Sequence, residues 1–289
     1  CHVLWASQTS APGPDGLPYQ FYKATWEVTG PILTECLNAI MDNRSRPRHD
    51  THIILLHKGG NKDQLGNKRP IALINTDERI MDKAINARIT KVLPSLVHRD
   101  QTGFIPRRWI GENIETLQNA IEDGHKYKGV LASVDLEKAY DKVEHGYLEA
   151  VLSKLGFGPR IMTAIMASST NGEAKVVLNG WLSAPFRLGR GVRQGSPLAP
   201  TLFAMCMEPL ACRLRHQLIG IRHTGLGDPW QTNILPFICS LFADDLAVAL
   251  GGDGRRDIQK LDEALETFRK AGGGTINRKK SFVYGIGPV

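Results

Sequence analysis

Short apolar runs alternate along this chain with stretches of helical spacing, and their order predicts strands set among helices, with no internal repeat. Tyr19 to Trp26 and Pro31 to Met41 read as helices, the second opened by Pro31, whose missing N–H costs nothing in a first turn. Thr51 to His57 is a β-rich run and Ile71 to Ile74 a second, joined by a loop that carries cations. Ile80, Ala84, Ala87, Arg88 and Val92 keep helical spacing up to Pro94, and Ile110 to Ile121 predicts another helix after the turn Gln101-Thr102-Gly103-Phe104. Val130 to Val134 is a strand that runs straight into Asp135. Val143, Tyr147, Leu148, Val151, Leu152 and Leu155 mark one face of a helix stopped by Gly156, and Pro159 opens a shorter one. Asn179-Gly180 between two β-rich runs signals a tight hairpin. Ser196 as N-cap and Pro197 at the first position open a helix to about Leu218. Ile258 to Phe268 is amphipathic up to Gly272-Gly273-Gly274, and Thr275 to Tyr284 is a strand candidate interrupted by Arg278-Lys279-Lys280.

The stretch that organises the rest is Phe242-Ala243-Asp244-Asp245, between the apolar runs Ile238 to Leu241 and Leu246 to Leu250. Successive side chains of a strand point to opposite faces, so two neighbouring carboxylates converge only where the backbone turns. Asp244 and Asp245 are therefore placed at the tip of a hairpin. Two charges at the junction of buried strands need a partner, and a divalent cation is the natural one; a solvated Asp-Asp turn is the alternative. Asp135 is a third carboxylate at a strand end. Nucleotidyl transfer uses such a set, because oxygen ligands can hold two Mg²⁺ ions that activate the attacking hydroxyl and steady the leaving phosphates. Spacing alone does not make the three acids converge.

Composition narrows the partners. The 289 residues, 42% of them hydrophobic, suffice for the core of one large domain or two small ones. A net charge of +7 favours an anionic partner such as nucleic acid or nucleotides, and on charge alone an anionic membrane surface fits equally. No apolar run approaches a membrane span, and Cys1-His2-Val3-Leu4-Trp5 lacks a charged-then-apolar signal pattern; a start at Cys is read as a fragment. Cys1, Cys36, Cys206, Cys212 and Cys239 form no C-x-x-C pair, which indicates neither a disulfide framework nor a zinc site and suits a reducing compartment. His49, His52 and His57 lack the helical spacing of a zinc protease, and Arg44, Arg46 and Arg48 form a basic linker.

Taken together and in order, these stretches resemble the reverse transcriptase domain of non-LTR (LINE-type) retrotransposons over nearly the whole chain. Pro12-Gly13-Pro14-Asp15-Gly16 with Phe21-Tyr22-Lys23 resembles the N-terminal block of that family, and Lys68-Arg69-Pro70-Ile71-Ala72-Leu73 and Gln101-Thr102-Gly103-Phe104 its fingers blocks. The run from Ser133 to Val143 is similar to polymerase motif A, Arg193 to Pro200 to motif B, Phe242-Ala243-Asp244-Asp245 to motif C, and Asn277 to Ser281 to motif D.

The resemblance implies an α+β right-hand polymerase fold, with fingers from residues 1–128 and a palm from 129–289 that takes a fingers insertion at about 147–186. An antiparallel palm sheet would carry the three aspartates; with the sequence stopping at Val289, no thumb is expected. Carried over by residue, Asp135 would bridge both metals, Asp244 would bind the ion that activates the primer 3′-hydroxyl, and Asp245 would complete the acidic site. The Leu136 carbonyl would join the triphosphate-side metal, and the Tyr140 ring would press against the sugar and exclude a 2′-hydroxyl. Ala243, Gln194 and Gly195 would line the incoming nucleotide, Lys58 and Arg69 would meet its triphosphate, Arg187, Arg190 and Arg193 would follow the template backbone, and Lys280 would protonate departing pyrophosphate. The implied activity is RNA-directed DNA polymerisation from dNTPs onto a DNA primer with an RNA template and two Mg²⁺ ions, Mn²⁺ being a substitute. The family implies target-primed synthesis in the nucleus after ribonucleoprotein assembly in the cytoplasm, with no membrane partner. Two rivals stay open. An RNA-directed RNA polymerase shares the palm chemistry but polices the 2′-hydroxyl with polar groups, which Tyr140 argues against; a catalytically decayed palm would bind nucleic acid or protein as a scaffold, which three intact acids argue against.

Overall fold

The computed structural model describes residues 10–45, 47, 49–127, 129–170, 172–221, 236–251 and 254–286; Cys1 to Trp5 and, in the basic linker, Arg46 and Arg48 lie outside them. In chain order the elements are α1 (Tyr19–Ala24), α2 (Trp26–Met41), β1 (His49–His57), β2 (Lys68–Leu73), α3 (Thr76–Leu96), α4 (Ile110–Tyr127), β3 (Gly129–Val134), α5 (Ala139–Lys142), α6 (His145–Lys154) and α7 (Pro159–Ser169). They continue with β4 (Gly172–Leu178), β5 (Trp181–Leu182), β6 (Phe186–Arg187), α8 (Ala199–Gln217), β7 (Cys239–Phe242), β8 (Asp245–Gly251), α9 (Arg255–Gly272) and β9 (Phe282–Ile286). The fold is α+β. Among the described residues no helix is long and apolar enough to cross a membrane.

The chain divides into two compact units, Cys1–Lys91 with Glu144–Ala199, and Val92–Val143 with Pro200–Val289. The first contains a mixed sheet in the order β2-β1-β4-β5, with β6 also on β4. Strand β1 runs antiparallel to β2, with His57 opposite Lys68, and parallel to β4, with His49 opposite Gly172. The expected hairpin joins β4 to β5, and Asn179 and Gly180 take the positive φ of 50° and 84° that a two-residue primed turn demands. Pro31 does not open its helix. The helix starts at Trp26, where the Thr25 carbonyl accepts the Val28 and Thr29 N–H groups, so the proline lies inside α2. Gly30 lets the turn close on the Trp26 indole, since a Cβ there would stand 2.8 Å from the ring.

The second unit is built on an antiparallel sheet in the order β7-β8-β3-β9, with α4 packed on β7, β3 and β9, and α9 on β8. Leu246, Val248 and Leu250 of β8 are buried, each contributing about 1.5–3 kcal/mol of transfer free energy. Ala120 of α4 joins Ile221, Phe237, Ala249 and Ile286 in one apolar cluster. The interrupted strand candidate near the C-terminus is resolved into an isolated bridge between Ile276 and Leu136, a turn at 278–280, and then β9. Helix α3 runs past Pro94 to Leu96 rather than stopping before the proline. Its terminal carbonyls have a donor: Arg108 Nη2 bonds the Pro94 and Val97 carbonyls at 2.9 Å each, while Nη1 takes those of His98 and Gln101 at 2.6 and 2.8 Å.

Candidate active site

The acidic hairpin forms, but its tip falls one residue earlier than the sequence predicts, and Asp245 opens β8. Phe242 pairs with Asp245 as β7 gives way to β8, so Ala243 and Asp244 are the two turn residues. Ala243 is buried at φ +58°, the positive φ that a tight hairpin requires at its first central position. Strand β3 pairs with β8 up to Val134 opposite Leu246, so Asp135, the next residue after β3, and Asp245, the residue before Leu246, lie at the same end of this strand pair. The lone acid from the middle of the chain and the C-terminal pair thus lie at one end of the β3–β8 pair. Asp135 and Asp244 are half-buried and Asp245 is exposed. Among the described residues no three His, Cys, Asp or Glu side chains stand close enough to hold a metal ion, so the acids lie at one end of the sheet without forming a cage.

Main-chain bonds fix Asp135. Its N–H donates to Ser281 Oγ at 3.1 Å, its carbonyl accepts the Asn277 N–H at 2.8 Å, and the Glu137 N–H reaches the Thr275 carbonyl at 2.8 Å. The bonds on either side of Leu136 use the groups of Asp135 and Glu137, not the Leu136 carbonyl. Tyr140, on α5, stacks on Phe203 of α8 with centroids 4.5 Å apart and rings at 23°. Burial, and after it the charge of Asp244, push the Tyr140 hydroxyl well above the ordinary tyrosine range, so it stays protonated beside the acid. Lys280 is exposed in the 278–280 turn, its N–H on the Asn277 carbonyl.

In the first unit, Lys58 and Arg69 are exposed, the latter on β2 opposite Leu56. The Gln194 carbonyl accepts the Ala72 N–H at 2.8 Å. Gly195 has φ +126°, and a Cβ on it would lie 2.4 Å from the Ala72 carbonyl oxygen. The close approach that requires glycine here is made by the protein's own backbone. Gly195→Ala should therefore cost at least roughly 1–3 kcal/mol of stability, read from a denaturant midpoint; an unchanged midpoint would show that the loop has another conformation open to it.

Arg187 and Arg190 are exposed, Arg187 opposite Glu173 across the β6–β4 pair and Arg190 3.6 Å from Glu144. Arg193 is not a surface cation. It is buried, its guanidinium 2.8 Å from Glu78 and 3.3 Å from Ser168, and this ion pair satisfies a charge that the sequence assigns to a template strand. Ser168 and Ser196 donate in turn to Asp82 at 2.7 and 2.6 Å, and His49 lies 2.8 Å from Glu78. Burial pushes the Asp82 carboxyl above the ordinary range against the pull of Arg193 and the two hydroxyls.

Residues 56–285 match the family model described as reverse transcriptase (RNA-dependent DNA polymerase), and the chain belongs to that family. It is 33% identical over 275 residues to the Transposon TX1 uncharacterized 149 kDa protein of Xenopus laevis, covering 94% of this chain and 20% of that protein. It is 27% identical over 287 residues to the Retrovirus-related Pol polyprotein from type-2 retrotransposable element R2DM of Drosophila melanogaster, covering 97% and 25%. Within the family it is a reverse transcriptase domain related to the Pol proteins of non-LTR retrotransposons. The chain spans about a fifth to a quarter of the length of these two relatives. Its fold is similar to that of apo telomerase from Candida tropicalis truncated from the C-terminal domain, with a TM-score of 0.57 at 12% identity over 88% of this chain and 55% of that one.

Proposed function

We propose that this chain is the RNA-directed DNA polymerase domain of a non-LTR retrotransposon, adding dNTPs to a DNA primer on an RNA template in target-primed synthesis at the chromosome. The observation that carries the reading is the place of Asp135 and Asp245 at one end of the β3–β8 pair, with Asp244 in the adjoining turn and the Tyr140 ring held by Phe203 beside it. On this reading the antiparallel sheet of the second unit is the palm and the first unit belongs to the fingers. The donor set is of hard carboxylate oxygens, which suits Mg²⁺; Asp135, Asp244, Asp245 and the Leu136 carbonyl would hold two ions that activate the primer hydroxyl and neutralise the leaving pyrophosphate. Tyr140 stands against the sugar, where a neutral ring excludes a 2′-hydroxyl by bulk. Lys280 returns a proton to pyrophosphate, Lys58 and Arg69 are cations apt for polyphosphate, and Arg187 and Arg190 suit a nucleic-acid backbone.

The test is primer extension on matched RNA and DNA templates with dNTPs and rNTPs. Tyr140→Ala should raise the ribonucleotide-to-deoxyribonucleotide incorporation ratio by roughly 10–200-fold, whereas Tyr140→Phe keeps the ring and should keep the ratio. An unchanged ratio in the alanine variant refutes the gate. Ribonucleotide preference in the unaltered protein would favour an RNA polymerase, and template binding without Mg²⁺-dependent extension a scaffold.

A further inference from the structure

We infer that Gln101 is a positioning residue for the acidic turn, a role that rests on the polymerase reading above and concerns the same acids. Gln101 lies between α3 and α4 and is 1% exposed. Its Oε1 accepts the N–H groups of both Ala243 and Gly103 at 2.9 Å, and its Nε2 donates to the Ala243 carbonyl at 3.3 Å. A carboxamide carries one acceptor oxygen and a donor amine, so this side chain meets both main-chain groups of Ala243 as a neighbouring strand would. Ala243 is the turn residue in the left-handed region, which an L-residue adopts at a cost unless its surroundings enforce it. The Gln101 carboxamide supplies that enforcement, and the direction in which the chain leaves Ala243 sets where Asp244 and Asp245 stand.

The brace is itself anchored. The Leu241 N–H donates to the Asp100 carbonyl at 2.8 Å and the Thr102 N–H to the Leu241 carbonyl at 3.0 Å, so residues 100–102 lie along β7. Asn113 of α4 donates to Ser240 Oγ at 2.6 Å and to the Leu241 carbonyl at 2.8 Å, and Arg108 holds the Gln101 carbonyl. Gly103 permits the approach, because a Cβ there would stand 2.3 Å from the Ala243 nitrogen.

Gln101→Met keeps the bulk and removes the hydrogen bonds. Two readouts separate positioning from mere stability. Amide exchange at Ala243 should accelerate at least tenfold in Gln101→Met, and primer extension should fall by roughly 10–100-fold with a higher Mg²⁺ concentration at half-maximal rate. In an Ala243→Gly background, where positive φ comes freely, the same substitution should cost severalfold less. Unaltered exchange at Ala243, or an equal loss of extension in the alanine and glycine backgrounds, overturns the inference. Should the unaltered chain fail to extend any primer, the polymerase reading falls while the exchange comparison still decides the clamp.

Discussion

Asp135→Asn and Asp244→Asn should each abolish Mg²⁺-dependent primer extension, with losses beyond the roughly 10–100-fold that outer partners of a metal site command. Asparagine keeps the shape of the side chain and one oxygen, but it removes the charge that offsets a divalent ion. Asp135 also offers a clean separation of chemistry from folding. Its hydrogen bonds to Asn277 and Ser281 are made by its main chain, which the substitution leaves in place, so the unfolding transition should hardly move. Extension at the unaltered rate in either variant would remove the assignment of these acids to catalysis, whatever the family of the chain.

The largest effect on stability is expected far from any chemistry, at Asp257. This residue, in the first turn of α9, is fully buried; its carboxylate accepts the N–H of Ile219 at 3.0 Å, of Gly220 at 3.2 Å and of Gly251 at 2.8 Å. Asp257→Ala strands three main-chain donors, two of them buried, and an unmet buried donor costs about 1–3 kcal/mol. A loss of roughly 3–5 kcal/mol is expected, a large share of the 5–15 kcal/mol that holds an ordinary domain together. Asp257→Asn retains one acceptor and should lie between. Denaturant unfolding of the three proteins checks the order, and an alanine variant within about 0.5 kcal/mol of the parent would show that other groups replace the carboxylate.

What the sequence made legible was local. The Asn179-Gly180 turn, the strand that ends at Asp135 and the acidic hairpin are each set by residues within a few positions of one another, through the φ they allow and the face they occupy. What it concealed depends on distant partners. Arg193 reads as one more cation in a basic loop until Glu78 is seen beside it, and Gln101 as an ordinary turn residue until its carboxamide is found on Ala243. Asp257 falls among the acids of an amphipathic helix, with no local sign that its side chain points inward. Pro31 shows the converse failure, a true local preference overridden because the helix had already begun at Trp26. Motif order grouped the acids in the sequence, whereas their place at one end of a strand pair came from the β3–β8 register.

The parallel pairing of β1 with β4 has a bearing on how such a protein is made. A ribosome releases His49 long before Gly172, and everything at 58–171 must emerge while β1 waits with only β2 for company. Pairing across so long an interval is slow and leaves a strand edge open to other chains in the meantime. A cut between β1 and β4 would therefore deliver an N-terminal piece that cannot close its first sheet.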